Sequence, residues 1–294
     1  MVMKKIASIV MVLICTSIFM ESCEYNKSLE LFEVPDKSFE IINLKMASNN
    51  FKENYRFYSQ TLGLTTSYNA DSTAFTVSFP NNSITFYNTG INDTLGVFPQ
   101  YQFTISVPSN QIEGCYQWLT QPDTNNPDKV RERVKLWYDS ETGAEIFRRE
   151  NYNSQSIYIK DASKNVVEIL ARHDANVTLP GAFNRGMFQG ISEVGVLSRD
   201  LRKSAEDLKA AFGVSEVTGS SNSYKPVGGP TGLIKLNIEG KIWTPTDNEV
   251  VRDHKLVVTV RGSETIAPIQ FSRFGILDTT NFGLLDGVWL LAKP

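Results

Sequence analysis

The chain has 294 residues, 41% of them hydrophobic and 21% charged, with a net charge of -3. That composition excludes a disordered, collagen-like or fibrous chain, and the slightly acidic balance offers no basic field, so no nucleic-acid partner is expected. Three cysteines and two histidines are too few for a disulfide framework or a zinc cluster.

Lys4 and Lys5 precede an apolar run from Ile6 to Met20. About 15 apolar residues fall short of the roughly 20 that span a bilayer, so the run reads as a cleaved signal peptide. It closes on Met20-Glu21-Ser22-Cys23, which resembles a bacterial lipoprotein signal. On that resemblance residues 1–22 are removed, Cys23 is lipidated, and the lipid makes the membrane a partner. The expected location is the cell envelope, on the periplasmic or outer-membrane side. Residues 23–38 are mostly polar and read as a tether.

Beyond the tether a unit recurs. Ile41-Ile42-Asn43-Leu44-Lys45-Met46 reads as a strand, followed by a helix through Tyr55, Phe57 and Tyr58, then Leu62-Gly63-Leu64. Ile191-Ser192-Glu193-Val194-Gly195-Val196 begins a second copy, with Ala205, Leu208 and Ala211 in its helix and Phe212-Gly213-Val214 at its end. The helical apolar residues fall near three- and four-residue spacing, which gives one core-facing stripe. Gly63 and Gly213 stand where a helix C-cap needs a left-handed residue. Strands follow at Ala74–Phe79, Ser83–Tyr87 and Gly232–Ile238. Tyr101–Val107 with the helix Asn110–Leu119 starts another copy, and Lys255–Val260 with Val288–Ala292 forms the last. The predicted fold class is α+β, with four βαβββ modules.

The run Ser154-Gln155-Ser156-Ile157-Tyr158-Ile159-Lys160-Asp161, continued by Asn165-Val166-Val167-Glu168-Ile169-Leu170-Ala171-Arg172-His173-Asp174, resembles the vicinal oxygen chelate superfamily. That superfamily includes glyoxalase I, extradiol dioxygenases and the fosfomycin and bleomycin resistance proteins. Tyr101–Ile105 with Pro108–Asn110 and Trp118-Leu119, and Gly232–Ile234 with Trp243-Thr244-Pro245, are similar too. The resemblance implies that modules pair into cups, each usually holding a divalent metal. Pairing consecutive modules gives a first cup domain at residues 39–174, a linker at 175–187 and a second, degenerate cup domain at 188–294.

Strand alternation places Asn43 and Lys45 on the cup face with Leu44 and Met46 behind, and Gln102, Thr104 and Ser106 opposite Phe103, Ile105 and Val107. Glu168 lies between Val167 and Ile169, and such a buried carboxylate requires a cation or donors nearby. The expected ligand pocket is Asn43, Lys45, Gln102, Thr104, Gln155, Tyr158 and Glu168, with Glu168 the metal ligand if a metal binds. The resemblance puts histidine at the positions of Asn43, Gln102 and Gln155. Three neutral amides around one carboxylate make a poor site for zinc, iron or nickel. Glu193 and Lys255 occupy the matching positions of modules three and four and are expected to form an ion pair in the second cup. His173 reads as a strand-end residue and His254 as an exposed one. Cys115 reads as a small buried hydrophobe, and Lys129–Lys135 as a solvated basic face.

No cofactor is assigned beyond a candidate divalent metal ion. The expected function is an envelope lipoprotein that binds a small molecule in its first cup, whose metal site is eroded. The alternatives are a divalent-metal-dependent glyoxalase-type lyase or ring-cleaving dioxygenase, and a scaffold with both cups filled by side chains.

Overall fold

The computed structural model describes residues 39–88, 99–121, 134–261, 268–272 and 288–293. The signal peptide, the lipidation candidate Cys23, the tether and most of the basic run Lys129–Lys135 lie outside the described residues. No helix among the described residues is long and apolar enough to cross a membrane.

The first module comprises β1 (Glu40–Ser48), α1 (Phe51–Arg56), β2 (Thr65–Tyr68), β3 (Ala74–Ser78) and β4 (Ser83–Asn88). The second comprises β5 (Gln102–Val107), α2 (Ile112–Thr120), β6 (Phe147–Arg149), β7 (Ser154–Lys160) and β8 (Val166–Arg172). The third has β9 (Gly190–Leu197), α3 (Leu201–Phe212), β10 (Tyr224–Gly229) and β11 (Gly232–Asn237). The fourth is represented by β12 (Leu256–Arg261), β13 (Ile269–Ser272) and β14 (Val288–Lys293).

Local chemistry explains the helices. In α3, Leu201, Ala205, Leu208 and Phe212 are buried at helical spacing, and the Asp200 carboxylate caps the N-terminus by accepting from Lys203 N at 2.9 Å. Gly213 ends it at φ +70° and Gly63 takes φ +62° after the first helical segment, as the C-cap reading requires.

The modules pair into two mixed seven-stranded sheets, which bears out the α+β class. Sheet A has the order β13-β14-β12-β1-β4-β3-β2, and sheet B the order β10-β11-β9-β5-β8-β7-β6. Sheet A therefore joins modules one and four, and sheet B joins modules two and three. This corrects the expected domains at 39–174 and 188–294, each of which contributes to both sheets. Hydrophobic periodicity builds each module but does not say which sheet edge a module will close against. At the centre of each sheet two first strands meet antiparallel: β1 with β12, and β5 with β9.

The expected linker 175–187 consequently joins two strands of the same sheet. It is tied down at the start of α2, where Ser109 N donates to Val177 O at 2.7 Å and Gln111 Nε2 donates to Leu179 O at 2.8 Å. The two sheets are stitched by Asn82, whose Nδ2 donates to Ile41 O at 3.1 Å and Ile191 O at 2.8 Å. These are matching residues of the first and third modules. Tyr101 adds a second stitch, donating its hydroxyl to Lys255 O at 2.7 Å and accepting from Ala47 N at 3.1 Å.

Candidate functional site

Sheet B curls around a cavity of about 280 Å³ whose lining includes Gln102, Tyr158, Glu168, Glu193, Tyr224 and Lys235. Its floor follows from strand register. Thr104 on β5 stands beside Glu168 on β8 and Glu193 on β9, and Glu168 stands beside Tyr158 on β7. Paired residues share a face, so one row of the sheet brings these four side chains together. On β11, Lys235 pairs with Gly195, and its ammonium reaches Glu168 and Glu193 in the same row.

Both Glu168 oxygens are satisfied. Oε1 accepts from Ser156 Oγ at 2.7 Å and Tyr158 OH at 2.8 Å, and Oε2 accepts from Thr104 Oγ1 at 2.9 Å and Lys235 Nζ at 2.8 Å. The same ammonium lies 2.5 Å from Glu193 Oε2, while Glu193 Oε1 accepts from Arg172 Nη2. Glu168 and Glu193 are each only 3% exposed, so each carboxylate stands where a lone charge is costly. Burial by itself raises the Glu168 carboxyl, but Lys235 and then Arg149 outweigh it and hold the group at about 2. Burial likewise pulls Lys235 down, and the two glutamates more than reverse it, so this lysine stays charged. Arg149 Nη2 donates to Tyr158 OH at 3.3 Å.

Of the residues expected in the pocket, Gln102, Thr104, Tyr158 and Glu168 come together here. Gln102 Nε2 donates to Thr244 O at 2.7 Å, which fastens the 244 segment over the cup. Asn43 and Lys45 do not join them, because they sit on sheet A. There Asn43 Nδ2 donates to Ser83 Oγ at 2.8 Å and contacts Thr85 Oγ1 at 3.3 Å. Gln155 is also corrected: it alternates with inward Ser154 and Ser156, so it faces the other side of β7. Its Oε1 lies 3.2 Å from His173 Nε2, at the strand end. The expected Glu193–Lys255 ion pair is replaced by Glu193 with Arg172 and Lys235, since Lys255 belongs to sheet A. His254 is half-buried rather than exposed, with its Nε2 shut off from solvent, and burial holds it at about 4.

Lys235, Arg149 and Arg172 were the residues that sequence reasoning passed over. Lys235 carries the signal that singles out Glu168: a charge between two apolar strand residues, here Ile234 and Leu236, both fully buried. Module pairing was needed to see that the two charges meet.

The donor set around Glu168 does not fit a divalent metal. Among the described residues no three histidine, cysteine, aspartate or glutamate side chains converge on one point. The direction from which a cation would approach both carboxylates is taken by the Lys235 ammonium, which repels one.

No protein-family profile matches the chain, and no curated protein matches it. Solved structures do. A Bacillus subtilis protein described as a dioxygenase is 15% identical over 87% of this chain and 85% of that one, with a TM-score of 0.50. Glyoxalase I from Zea mays is 11% identical over 87% and 92%, with a TM-score of 0.46. Lactoylglutathione lyase from Agrobacterium tumefaciens is 14% identical over 47% and 97%, with a TM-score of 0.33. The first similarity, together with the paired modules, shows a dioxygenase-like fold.

Proposed function

We propose that the chain is a cell-envelope lipoprotein that binds a small molecule in the cup of its second and third modules, at a site where lysine has replaced the metal. The observation that carries this reading is Lys235 Nζ between Glu168 and Glu193, at 2.8 and 2.5 Å. Metal-dependent lyases and dioxygenases of this architecture need open coordination positions for substrate oxygens. Here those positions are filled by an ammonium and hydroxyls, so substrate chelation has no place to occur. What remains is a lined polar cavity, which suits recognition by hydrogen bonds and charge.

Elemental analysis of the full chain, purified without chelator, tests the reading. Transition metal well below one equivalent is the expected result. Near-stoichiometric zinc, iron, manganese or nickel, lost on Glu168→Gln, would restore the enzyme instead. The anchor has its own test: a radiolabelled fatty acid fed to cells should label wild type and spare Cys23→Ser.

A further inference from the structure

Resting on the small-molecule reading of this cup, we infer that its ligand is an oxyanion, a carboxylate or phosphate on a compact, partly apolar body, gripped by Arg149 and Lys241. The cavity is lined by the cations Arg149, Arg172, Lys235 and Lys241 and by the carboxylates Glu168 and Glu193. The floor is balanced, because Lys235 and Arg172 neutralise the two glutamates. The other two cations are surplus. Arg149 uses one Nη donor on Tyr158 OH and makes no ion pair among the described residues. Lys241 Nζ stands 4.7 Å from the centre of the Tyr224 ring, a cation–π contact that leaves its N–H donors available.

Both surplus cations are half-buried, so their charge is poorly screened and an anion entering the cavity meets an unbalanced positive wall. Burial, and then the like charge of Lys235, pull the Lys241 ammonium below its usual range, a state that an incoming anion relieves. Guanidinium geometry suits two-pronged contact with a carboxylate or phosphate. Tyr152, Tyr224, Leu170 and Leu233 line the same cavity and supply an aromatic and aliphatic surface for the ligand body. The overall charge of the chain is negative, so the cationic wall is a local feature of the cup.

Titration of the full chain in mild detergent with benzoate, phenyl phosphate, inorganic phosphate and neutral benzamide, followed by calorimetry and by NMR of the cup tyrosines, tests this. The expected result is that benzoate or phenyl phosphate binds at least tenfold more tightly than benzamide. That preference should shrink in high salt and fall at least tenfold in both Arg149→Gln and Lys241→Gln. If benzamide binds as well as the anions, or if both variants retain the preference, the oxyanion assignment is wrong and the cup remains a small-molecule site. If no probe perturbs the cup tyrosines, the binding reading and the oxyanion assignment fall together. Binding of inorganic phosphate equal to phenyl phosphate would overturn the role given to the apolar wall.

Discussion

Where β9 of sheet B carries Glu193, β1 of sheet A carries Asn43, and where β9 carries Gly195, β1 carries Lys45. In sheet A the amide Nδ2 donates to neutral neighbours, Ser83 and Thr85 on β4, while its Oδ1 is buried without a hydrogen-bond partner, and Thr259 is its partner on β12. In sheet B the carboxylate draws in Arg172 and Lys235, and through Lys235 it is coupled to Glu168. In sheet A the equivalent row, Asn43 beside Thr259 and Thr85, is built of an amide and hydroxyls, and the β1–β12 ion pair of Glu40 with Arg261 lies at the exposed strand ends. Buried ions contribute little net stability, because desolvation offsets their attraction. The two faces can therefore be set against each other by mutation.

The largest contrast is expected between the two lysines. Lys235→Met leaves Glu168 and Glu193 side by side in the interior without their shared cation, and should cost about 3–5 kcal/mol in urea unfolding at neutral pH. Lys45→Met on the half-buried face of sheet A should fall within about 0.5 kcal/mol of wild type. Adding Glu168→Gln to Lys235→Met should recover part of the loss, since one unpaired charge is then gone. Equal, small effects of the two single changes would break the distinction between the sheets.

A second contrast concerns pH. Sheet B pairs its buried charges, whereas at the entrance to β12 of sheet A the His254 Nε2 is buried without a hydrogen-bond partner. Burial lowers His254 from 6.5 to about 4, with Asp253 opposing and Arg252 assisting. Between those two values the unfolded chain binds a proton that the folded chain does not. His254 therefore takes away stability as pH falls from about 6.5 to 4, by up to about 3 kcal/mol at 1.36 kcal/mol per pH unit. Asp161 acts oppositely, because burial raises it to about 6 and stability grows as it protonates. Comparing His254→Phe with wild type at each pH isolates the histidine. The variant should gain relative to wild type on acidification across this window, and parallel curves would mean that His254 is exposed. Glu168, held at about 2, loses its contribution only below about pH 4.5, mostly beneath the histidine's window.

The pH and charge contrasts also mark what could be read before the structure was known. The modules were legible because helix and strand periods are local: Leu201 to Phe212 with Gly213, and the Glu168 strand, need no tertiary knowledge. The inward direction of Gln102, Thr104 and Glu168 was legible for the same reason, as alternation has a fixed period. Gln155 shows the limit of that reasoning, because placing it with Tyr158 three residues on breaks the two-residue period. Which modules pair was not legible, since any first strand presents the same backbone edge to any other. That single unknown put Asn43 in the wrong cup, gave Glu193 the wrong partner and hid Lys235. Thus the carboxylate could be found from sequence, but its cation required the topology.

The smallest expected effect tests why sheet B has a glycine where sheet A has Lys45. A Cβ on Gly195 would lie 2.6 and 2.8 Å from two ring carbons of Trp243 and 3.4 Å from the Gln102 Cβ. Trp243 is only 3% exposed, and its neighbour Thr244 holds Gln102 through the carbonyl, so the ring cannot swing away freely. Gly195→Ala must therefore push the 243–244 segment off the cup, at about 1–3 kcal/mol, the usual range for overpacking a filled site. Its effect should extend beyond stability. Because Thr244 lines the cavity beside Lys241, displacement should also broaden or shift the NMR signals of Tyr224 and the Gln102 side-chain amide. A stable Gly195→Ala protein with unshifted Gln102 and Tyr224 signals would show that the segment adapts without disturbing the cup. The glycine would then be a vacancy in the strand rather than the seat of Trp243.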